Sequence, residues 1–401
     1  MAPILIDLTH TSHTRARTGI QRVARALLQT LGAEARPICH DPYLRAWRPL
    51  ERWEAANIAA LAPGARRGAR WPLAARVRGT LRRLLSARLN RLVPVGGGAF
   101  LAPEIFSPVV ATALPGLFSS IPGPRGAIFH DAIALTHPEL TPPGSVARAP
   151  GYLQDLAGFD GVAAVSQDSR DRLIEHWRRL GLHDLPPVAA IPLGIDPPPP
   201  PPAMPAPALP VVLSVGTIEG RKNHLALLEA CELLWARGMR FELRLIGLAQ
   251  TQTGAGALRR IWELQRAGRP LVYLGAVGDA AREDAYAACE FTVYPSLAEG
   301  FGLPIAESVA RGRPCICLGR GALGEISRGG GCLTVDSADA GAFASAIGLL
   351  LSDPGKRAAL AAAAKMRPVR TWSDYSRDVA AWIGDLPRRA GPIRPLDQEP
   401  S

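Results

Sequence analysis

Apolar residues fall into two alternating patterns along the first half of the chain. The run PILIDLT near the amino terminus is typical of a buried parallel strand, and the next segment, TGIQRVARALLQTLG, has apolar residues at helical spacing. The order of strand and then helix returns in GAIFHDAIAL and GVAAVSQDSRDRLIEHW, and VAAIPLG adds a further apolar run. This alternation predicts βαβ units built around a parallel sheet.

A proline-rich segment, IDPPPPPPAMPAPALP at 195–210, interrupts the pattern and predicts a stiff linker. After it, strands are predicted in VVLSVGT, FELRLIGL, PLVYLGAV, FTVYPS and PCICLG, and helices in NHLALLEACELLWARG, LPIAESVARG and GAFASAIGLLLSD. We therefore predict an α/β protein with two successive, doubly wound domains. The predicted boundaries are 1–195 for the first domain, 196–210 for the linker, 211–370 for the second domain, 371–386 for a carboxy-terminal helix that returns to the first domain, and 387–401 for a disordered tail.

Composition and charge narrow the range of partners. The 401 residues are 47% hydrophobic, enough for two full cores, and the net charge of +11 favours nucleic acid, a lipid headgroup surface or a phosphorylated substrate. The six cysteines form no Cys-x-x-Cys pair and are expected to be reduced core residues. Because there is no signal-peptide pattern and no apolar run as long as a membrane span, we expect a cytoplasmic protein that can touch the inner face of the membrane.

An arginine-rich insert at about 55–103 departs from the strand and helix rhythm, because it contains no acidic residue from Ala55 to Pro103. Its crowded arginines are Arg66, Arg67, Arg70, Arg76, Arg78, Arg82, Arg83, Arg88 and Arg91, and its apolar residues at helical spacing are Leu73, Val77, Leu81, Leu84, Leu85, Leu89 and Leu92. A basic amphipathic helix of this kind can lie on an anionic bilayer surface. The alternatives are a solvated helix that packs its leucine stripe on the first domain, or a helix that binds another partner. Nucleic acid is disfavoured because Trp71 is the one aromatic residue among the arginines and no recognised nucleic-acid-binding module is evident.

Two glutamates stand eight positions apart in YPSLAEGFGLPIAESVARGRPCI, which begins at Tyr294. Glu299 follows the predicted strand FTVYPS, at the end of the strand where open α/β sheets bind their ligands. Glu307 falls about one turn into the next helix, so both carboxylates can face one cleft. A carboxylate accepts paired hydrogen bonds from vicinal hydroxyls. A sugar nucleotide has two hydroxylated rings, so two acids could bind one ring each. The backbone N–H groups of Gly300 to Leu303 would then be free to bind phosphate or sugar. The alternative is two unrelated surface acids.

The second domain opens with SVGTIEGRKNHLALLEA, a predicted strand, a short loop and a helix. Gly216 and Gly220 lie in the loop, and Arg221 and Lys222 come just before the helix. Glycines let the backbone approach a ligand closely, and two cations at a helix amino terminus suit a diphosphate. The plainer alternative is an Arg-Lys pair exposed on the surface.

Taken in order, these motifs resemble those of the retaining glycosyltransferases of family 4, whose GT-B fold has two Rossmann-like domains facing across a cleft. The family hallmark of two glutamates around a GFGLP core is here EGFGLPIAE, and VGTIEGRKNHLALLEA resembles a second family segment, although Gly220 stands where proline is usual. Further matching segments are IFHDAIALTHPE, VSQDSRDRL, IPLGID, GALGEI and RTWSDYSRDVAAWI. The resemblance covers most of the chain except the arginine-rich insert and the tail.

The resemblance implies a donor site on the second domain. Lys222, helped by Arg221, would neutralise the leaving diphosphate, Glu307 would bind the nucleotide ribose, and Glu299 would hold the transferred sugar near the reacting centre. The remaining donor-binding residues that it implies are Gly19, Gly216, Gly300, Phe301, Gly302 and Leu303.

On the first domain, the resemblance implies that His130 reaches the sugar from the opposite wall, which makes it a catalytic candidate together with Glu299 and Lys222. Asp131 and Ser166 would line the same cleft. Without the resemblance, His130 is interpreted as a satisfied core histidine and Ser166 as a helix cap.

The resemblance also implies an activity: retaining transfer of a hexosyl group from a nucleotide sugar to a saccharide or lipid-linked acceptor, in surface polysaccharide or glycolipid synthesis, without a metal or another cofactor. The GTxE-RKN variant is similar to mannosyltransferases, which favours GDP-mannose over a UDP-sugar. The alternatives are a non-catalytic, membrane-associated sugar-nucleotide scaffold and a sugar-nucleotide epimerase on the same fold.

Overall fold

A computed structural model describes residues 3–389 except 17, 61–69, 87–97, 201, 203–204 and 206. Within these residues, two mainly parallel sheets form two domains, and apolar clusters cover both faces of each sheet. Both domains are therefore doubly wound, as the sequence pattern predicts.

The first sheet has the strand order β3-β2-β1-β4-β5-β6-β7, with β3 antiparallel to β2 and the other pairs parallel. Its strands are β1 (Ile4–Asp7), β2 (Ala35–Asp41), β3 (Ala46–Pro49), β4 (Ala99–Ala102), β5 (Arg125–Phe129), β6 (Gly161–Ala164) and β7 (Val188–Ala190). The helices of this domain are α1 (Gly19–Leu31), α2 (Arg52–Ala59), α3 (Leu73–Ser86), α4 (Pro108–Ser120), α5 (Ile133–Thr136), α6 (Pro143–Leu156) and α7 (Gln167–Arg179).

The second sheet has the order β10-β9-β8-β11-β12-β13 and is parallel throughout. Its strands are β8 (Val211–Val215), β9 (Glu242–Ile246), β10 (Leu271–Tyr273), β11 (Phe291–Tyr294), β12 (Cys315–Leu318) and β13 (Cys332–Val335). Its helices are α8 (His224–Ala236), α9 (Ala255–Arg266), α10 (Asp279–Ala288), α11 (Leu303–Ala310), α12 (Gly321–Ser327), α13 (Ala340–Ser352) and α14 (Pro354–Lys365). The strand order reverses between β8 and β11, so their carboxyl ends flank the crevice where such sheets bind ligands.

The last described helix, α15 (Trp372–Asp385), lies on the first domain. Trp372, Tyr375, Val379 and Ile383 are buried in the core that includes residues of α1 and β1. Arg389 continues this attachment, because its N–H donates to Asp160 at 2.9 Å. The predicted disorder from 387 onward is therefore wrong for its first residues, and 390–401 lie outside the described residues.

The apolar pattern misses some elements for identifiable reasons. Helices α4 and α6 contain Pro115 and Pro150, which argue against a helix when the sequence is considered alone. The short antiparallel strand β3 has no apolar alternation. Trp47 of this strand is buried in the first-domain core, and polar contacts add to it, since the guanidinium of Arg48 pairs with Asp41 at 3.0 Å and Glu54 at 2.7 Å.

Helix α3, from the arginine-rich insert, packs on the first domain through small residues. Ala75 is buried, and Gly79 lies so close to the β2–β3 turn that a Cβ there would be 2.9 Å from that of Tyr43. The apolar stripe faces solvent, with exposures of 74% for Leu73, 50% for Val77, 53% for Leu81, 62% for Leu84 and 72% for Leu85. The alternative in which the leucines pack on the domain is therefore wrong, because Ala75 and Gly79 occupy the contact. None of the described helices is long and apolar enough to cross a bilayer.

The amino terminus of α7 joins the two domains. The carboxylate of Glu325, on the second domain, accepts hydrogen bonds from the N–H groups of Gln167 at 3.0 Å and Asp168 at 2.5 Å. The hydroxyl of Ser169 lies 3.1 Å from the carbonyl oxygen of His130 and 3.2 Å from that of Gly300. Unpaired N–H groups at a helix start need acceptors, and here the other domain supplies them.

We predict that Glu325→Ala weakens the contact between the domains by about 1 kcal/mol, the usual cost of losing a helix cap. The variant should be cut faster by protease in the linker and should unfold at a lower temperature than the native protein. Glu175→Ala, which removes an exposed carboxylate of α7 that pairs along the helix with Arg179, is the matched control. Equal proteolysis of the two variants would contradict the bridging role of Glu325.

Candidate functional site

The loop after β11 brings the two domains into close contact. A Cβ on Gly300 would lie 2.0 Å from the carbonyl oxygen of His130, so only glycine permits this approach. Gly302 precedes α11 with a φ of 105°, a backbone conformation that favours glycine, and Pro304 occupies the first turn of the helix. The Gly-Phe-Gly sequence therefore fixes how the loop meets the first domain.

Glu299 lies in this loop and binds both cations of the β8–α8 loop. One carboxylate oxygen is 2.7 Å from Arg221 Nη1 and 2.7 Å from Lys222 Nζ, and its side chain is only 9% exposed. Arg221 also pairs with Glu219 at 2.8 Å. Lys222 donates a short hydrogen bond to the Tyr294 hydroxyl. The predicted diphosphate cations and the first predicted acid thus form one network.

The charges in this network stabilise one another against burial. Burial alone would raise the pKa of Glu299, but Arg221 and Lys222 hold it at about 2. Burial likewise opposes the charge on Arg221, yet Glu299 and Glu219 raise its pKa above the usual range. For Lys222, burial is the largest effect and lowers the pKa.

Glu307, the second predicted acid, is buried in α11 and faces the same cleft. One carboxylate oxygen is 2.7 Å from Arg22 Nη2, which comes from α1 of the first domain, and the other is 3.4 Å from the Tyr286 hydroxyl. Burial opposes ionisation of Glu307, but Arg22 and then Arg282 lower its pKa. Neither acid of the pair points into bulk solvent.

On the first-domain wall, His130 and Asp131 follow β5 and line the cleft. His130 Nε2 lies 2.8 Å from the carbonyl oxygen of Pro103, so this nitrogen carries the proton and donates it. Burial lowers the pKa of His130, which leaves the ring neutral near pH 7. Asp131 accepts a hydrogen bond from the N–H of Ile133 at 3.0 Å.

Ser166 has a different position from the one that the resemblance implies. Its hydroxyl accepts a hydrogen bond from the N–H of Ser169 at 3.1 Å and so caps α7, and its neighbour Val165 lines the cleft in its place. The cap interpretation therefore describes its geometry.

The cleft between the domains has a volume of about 1330 Å³. Other predicted donor-site residues that line it are Gly19, Gly216, Gly300, Phe301, Gly302 and Leu303. Gly19 lies opposite Leu303, whose Cδ1 would be 3.8 Å from a Cβ at position 19. The structure thus brings together every predicted site residue except Ser166.

A second cavity, of about 1610 Å³, extends from the carboxyl edge of the first sheet along α4 and α6 and shares Ile20, Asp131 and Ser145 with the cleft. Asp7 and Glu104 line it, and burial is the main cause that raises the pKa of Asp7 to about 6 and that of Glu104 to about 7. This pocket on the first domain, which is mainly apolar with a few charged groups, was not predicted, because its residues are scattered over the chain.

Two cleft residues were also missed. Arg22 belongs to the segment TGIQR, where it falls within an otherwise ordinary helix, and only the fold shows that it reaches Glu307. Arg282 lies on α10, pairs with Asp279 at 3.2 Å, and has a buried Nε without a hydrogen-bond partner among the described residues.

The part of the chain that carries the predicted cations and acids matches a known protein family. Residues 209–353, which contain Arg221, Lys222, Glu299 and Glu307, match the model for glycosyl transferases group 1. This part of the chain is a group 1 glycosyltransferase domain. The match to this family covers most of the second domain, and it includes both the paired acids and the cations.

A solved structure extends the likeness to both domains. The Anabaena protein HepE, in complex with UDP and glucose, superposes with a TM-score of 0.67 and 16% identity, over 96% of this chain and 100% of HepE. At that identity the likeness shows the fold alone. The group 1 domain and the domain before it thus form the GT-B fold that the sequence predicts.

Curated relatives cover most of the chain at lower identity. The serotype-specific mannosyltransferase WbdA of Escherichia coli is 26% identical over 331 residues, which are 78% of this chain but 38% of WbdA. The O-antigen chain mannosyltransferase B of Escherichia coli is 32% identical over 245 residues, 57% of this chain and 61% of that protein. The chain therefore spans between about two fifths and three fifths of the length of these relatives.

The ion pairs of Glu299 predict a specific pH dependence. Because its pKa falls from the ordinary 4.5 to about 2 on folding, it stabilises the fold above pH 4.5, and this contribution is lost as the pH falls toward 2. The free energy of unfolding of Glu299→Gln should therefore fall less steeply than that of the native protein between pH 5 and pH 2.5. Urea unfolding at fixed pH values measures both slopes, and parallel slopes would show that Glu299 is not ion-paired in solution.

Proposed function

We propose that the protein is a retaining glycosyltransferase that moves a hexosyl group from a nucleotide sugar to a saccharide or lipid-linked acceptor. The observation that carries this proposal is the cleft in which Arg221, Lys222, Glu299 and Glu307 of a group 1 domain face His130 of the other domain. The donor diphosphate binds at Lys222 and Arg221, the ribose at Glu307, and the transferred sugar between Glu299 and His130.

The proposed mechanism follows from where charge develops. When the glycosidic bond breaks, positive charge builds on the sugar and negative charge on the departing phosphate. Lys222, Arg221 and the N–H groups at the start of α11 stabilise that phosphate in a site fixed before the reaction. The departing phosphate takes the proton of the acceptor hydroxyl, which gives retention without a protein nucleophile. These cations also take the place of a metal ion in the proposal.

Neutral His130 suits a binding role toward the sugar. Its Nε2 proton is committed to the Pro103 carbonyl, so only Nδ1 is left, and in this tautomer it accepts hydrogen bonds. A sugar hydroxyl can donate to it. Ionised Glu299 accepts hydrogen bonds in the same way from the opposite wall.

We propose GDP-mannose as the donor, with a UDP-sugar as the second candidate. The names of the two curated mannosyltransferases support mannose, and the pairing of Asp279 with Arg282 supports guanine. These residues share one face of α10 with Tyr286, which contacts Glu307, so a base attached to the ribose extends toward them. A carboxylate accepts from the guanine N–H groups, and a guanidinium donates to the guanine oxygen and nitrogen.

The acceptor site that we propose is the pocket on the first domain. It opens into the cleft beside Asp131, and Asp7, Glu104 and His10 line it with groups that bind hydroxyls. The names of the relatives favour an acceptor that belongs to surface polysaccharide synthesis. We propose that the transfer takes place at the inner face of the membrane.

Helix α3 supports contact with an anionic membrane. At about 100° per residue, its exposed stripe from Leu73 to Leu85 lies opposite Ala75 and Gly79, with Arg76 and Arg83 on one side and Arg78 and Arg82 on the other. Arg78 and Arg82 pair with Glu51 at 3.2 and 3.7 Å, whereas Arg76 and Arg83 lie on the other side of the stripe. Leucines that enter the acyl boundary while flanking arginines reach the headgroups form an interfacial helix. The other half of the predicted helix, with Leu89 and Leu92, lies outside the described residues.

The activity is tested by a donor screen that measures released nucleoside diphosphate and transferred sugar. We expect GDP-mannose to be used in preference to UDP-glucose, and Lys222→Ala to slow transfer at least about a hundredfold, because the leaving charge loses its cation. Lys356→Ala, which removes an exposed lysine of α14, is the matched control.

Other outcomes separate the alternatives. Equal rates for native protein and Lys222→Ala would favour a non-catalytic scaffold. A new sugar nucleotide formed from donor alone would indicate an epimerase. Binding of UDP-sugars without binding of GDP would overturn the proposed choice of base.

Membrane contact is tested by sedimentation with vesicles that contain anionic lipid. We expect the native protein to sediment and Arg82→Glu/Arg83→Glu, or Leu81→Ser/Leu84→Ser, to remain largely in the supernatant, because charge attraction and apolar burial both contribute. Arg237→Glu/Arg240→Glu makes the same change in charge on exposed residues of the other domain. Sedimentation unaffected by the α3 variants would remove the proposed membrane contact.

A further inference from the structure

Arg22 is a first-domain cation held in the donor cleft. It lies in the first turns of α1, its Nη2 is 2.7 Å from Glu307 and 3.6 Å from Asp196, and its side chain is only 21% exposed. Burial would lower its pKa, but Glu307 raises it, so Arg22 remains charged. The ion pair joins the two domains at the carboxylate that is proposed to bind the ribose.

The second-domain wall lacks surplus positive charge at the proposed phosphate position. The two cations at that position, Arg221 and Lys222, are matched by two carboxylates, Glu219 and Glu299, at 2.7–2.8 Å. The formal charge of these four side chains is zero. Arg282, a third cation of the same wall, is paired with Asp279 at 3.2 Å and Glu283 at 3.4 Å. A nucleoside diphosphate adds negative charge to a largely buried cleft, which is costly unless a further cation approaches it.

Arg22 is placed to be that cation. A ribose diol on Glu307 needs both carboxylate oxygens, one of which Arg22 now contacts, so donor binding releases part of the guanidinium. The phosphates are joined to the same ribose, and a guanidinium has five N–H donors that suit phosphate oxygens. Asp196 remains beside Arg22 and keeps it near the cleft.

We propose that Arg22 binds the donor diphosphate from the first-domain wall, and that its ion pair with Glu307 keeps it in position until the donor arrives. This inference rests on the proposed function, because it requires a nucleoside diphosphate in the cleft. It adds a first-domain contact that closes the two domains over the leaving group.

The test compares GDP with guanosine by calorimetric titration of native protein, Arg22→Gln and Arg22→Lys. We expect Arg22→Gln to bind GDP about tenfold to a hundredfold more weakly, because charged hydrogen bonds to phosphate are lost, and to bind guanosine within about twofold of the native affinity. Arg22→Lys should be intermediate, since it keeps the charge without the paired donors. Arg237→Gln, an exposed arginine of the second domain, controls for net charge.

A second comparison separates phosphate binding from simple neutralisation of Glu307. In a Glu307→Gln background, Arg22→Gln should still weaken GDP binding. No further loss there, or equal losses for GDP and guanosine, would overturn the inference. If Arg22→Gln does not fold, Arg22→Lys decides by the same GDP-to-guanosine ratio. If native protein binds neither GDP nor UDP, the proposed function itself fails, which is a different result.

Discussion

The candidate site depends on one close approach, that of Gly300 to the backbone of His130. Because a Cβ at position 300 would lie 2.0 Å from the His130 carbonyl oxygen, the loop that carries Glu299 can touch the first domain only with glycine there. This contact sets the distance between the walls of the cleft. Glu325 and Ser169 reinforce it at the start of α7, where helix N–H groups of one domain meet acceptors of the other. A tight contact between domains is therefore a condition for every cross-cleft interaction, including that of Arg22 with Glu307.

Internal pairing explains how the cleft can hold strong charges before a donor binds. A buried cation without a partner is costly, and the pairing of Arg221 and Lys222 with Glu299 offsets part of that cost, more fully for Arg221 than for Lys222. The same pairing gives Glu299 a low pKa, so it stays an acceptor at any physiological pH. A donor that brings phosphate and hydroxyls supplies an acceptor for the cations and donors for the carboxylate at once. The proposed binding step would then exchange hydrogen-bond partners within the site.

Much of this arrangement could be predicted from the sequence because it depends on neighbours in the chain. The continuous apolar runs predict the strands, and the position of Glu299 after β11 and of Glu307 in α11 follows from strand and helix lengths alone. Arg221 and Lys222 were predicted for the same reason. The sequence around Ser166 also predicted that its side chain caps a helix, which was the alternative to a role in the cleft.

The features that could not be predicted depend on residues far apart in the chain. Arg22 meets Glu307, and Glu325 meets α7, only because two domains separated by a proline-rich linker pack together. For a related reason, the sequence could not predict that the leucines of α3 face solvent. Helical spacing shows that a stripe exists, but only the packing of Ala75 and Gly79 decides which face is covered.

The position of α3 relates the proposed membrane contact to the proposed acceptor pocket. Strands β1 and β2 are parallel, so their last residues, Asp7 and Asp41, lie at the same edge of the sheet. Asp7 lines the acceptor pocket, and Gly79 of α3 packs beside Asp41. Trp71, just before α3, stacks on His13 at 4.0 Å and lines the pocket as well. A bilayer held against the leucines of α3 would therefore lie next to the pocket, and a lipid-linked acceptor could enter it while its chain stays in the membrane.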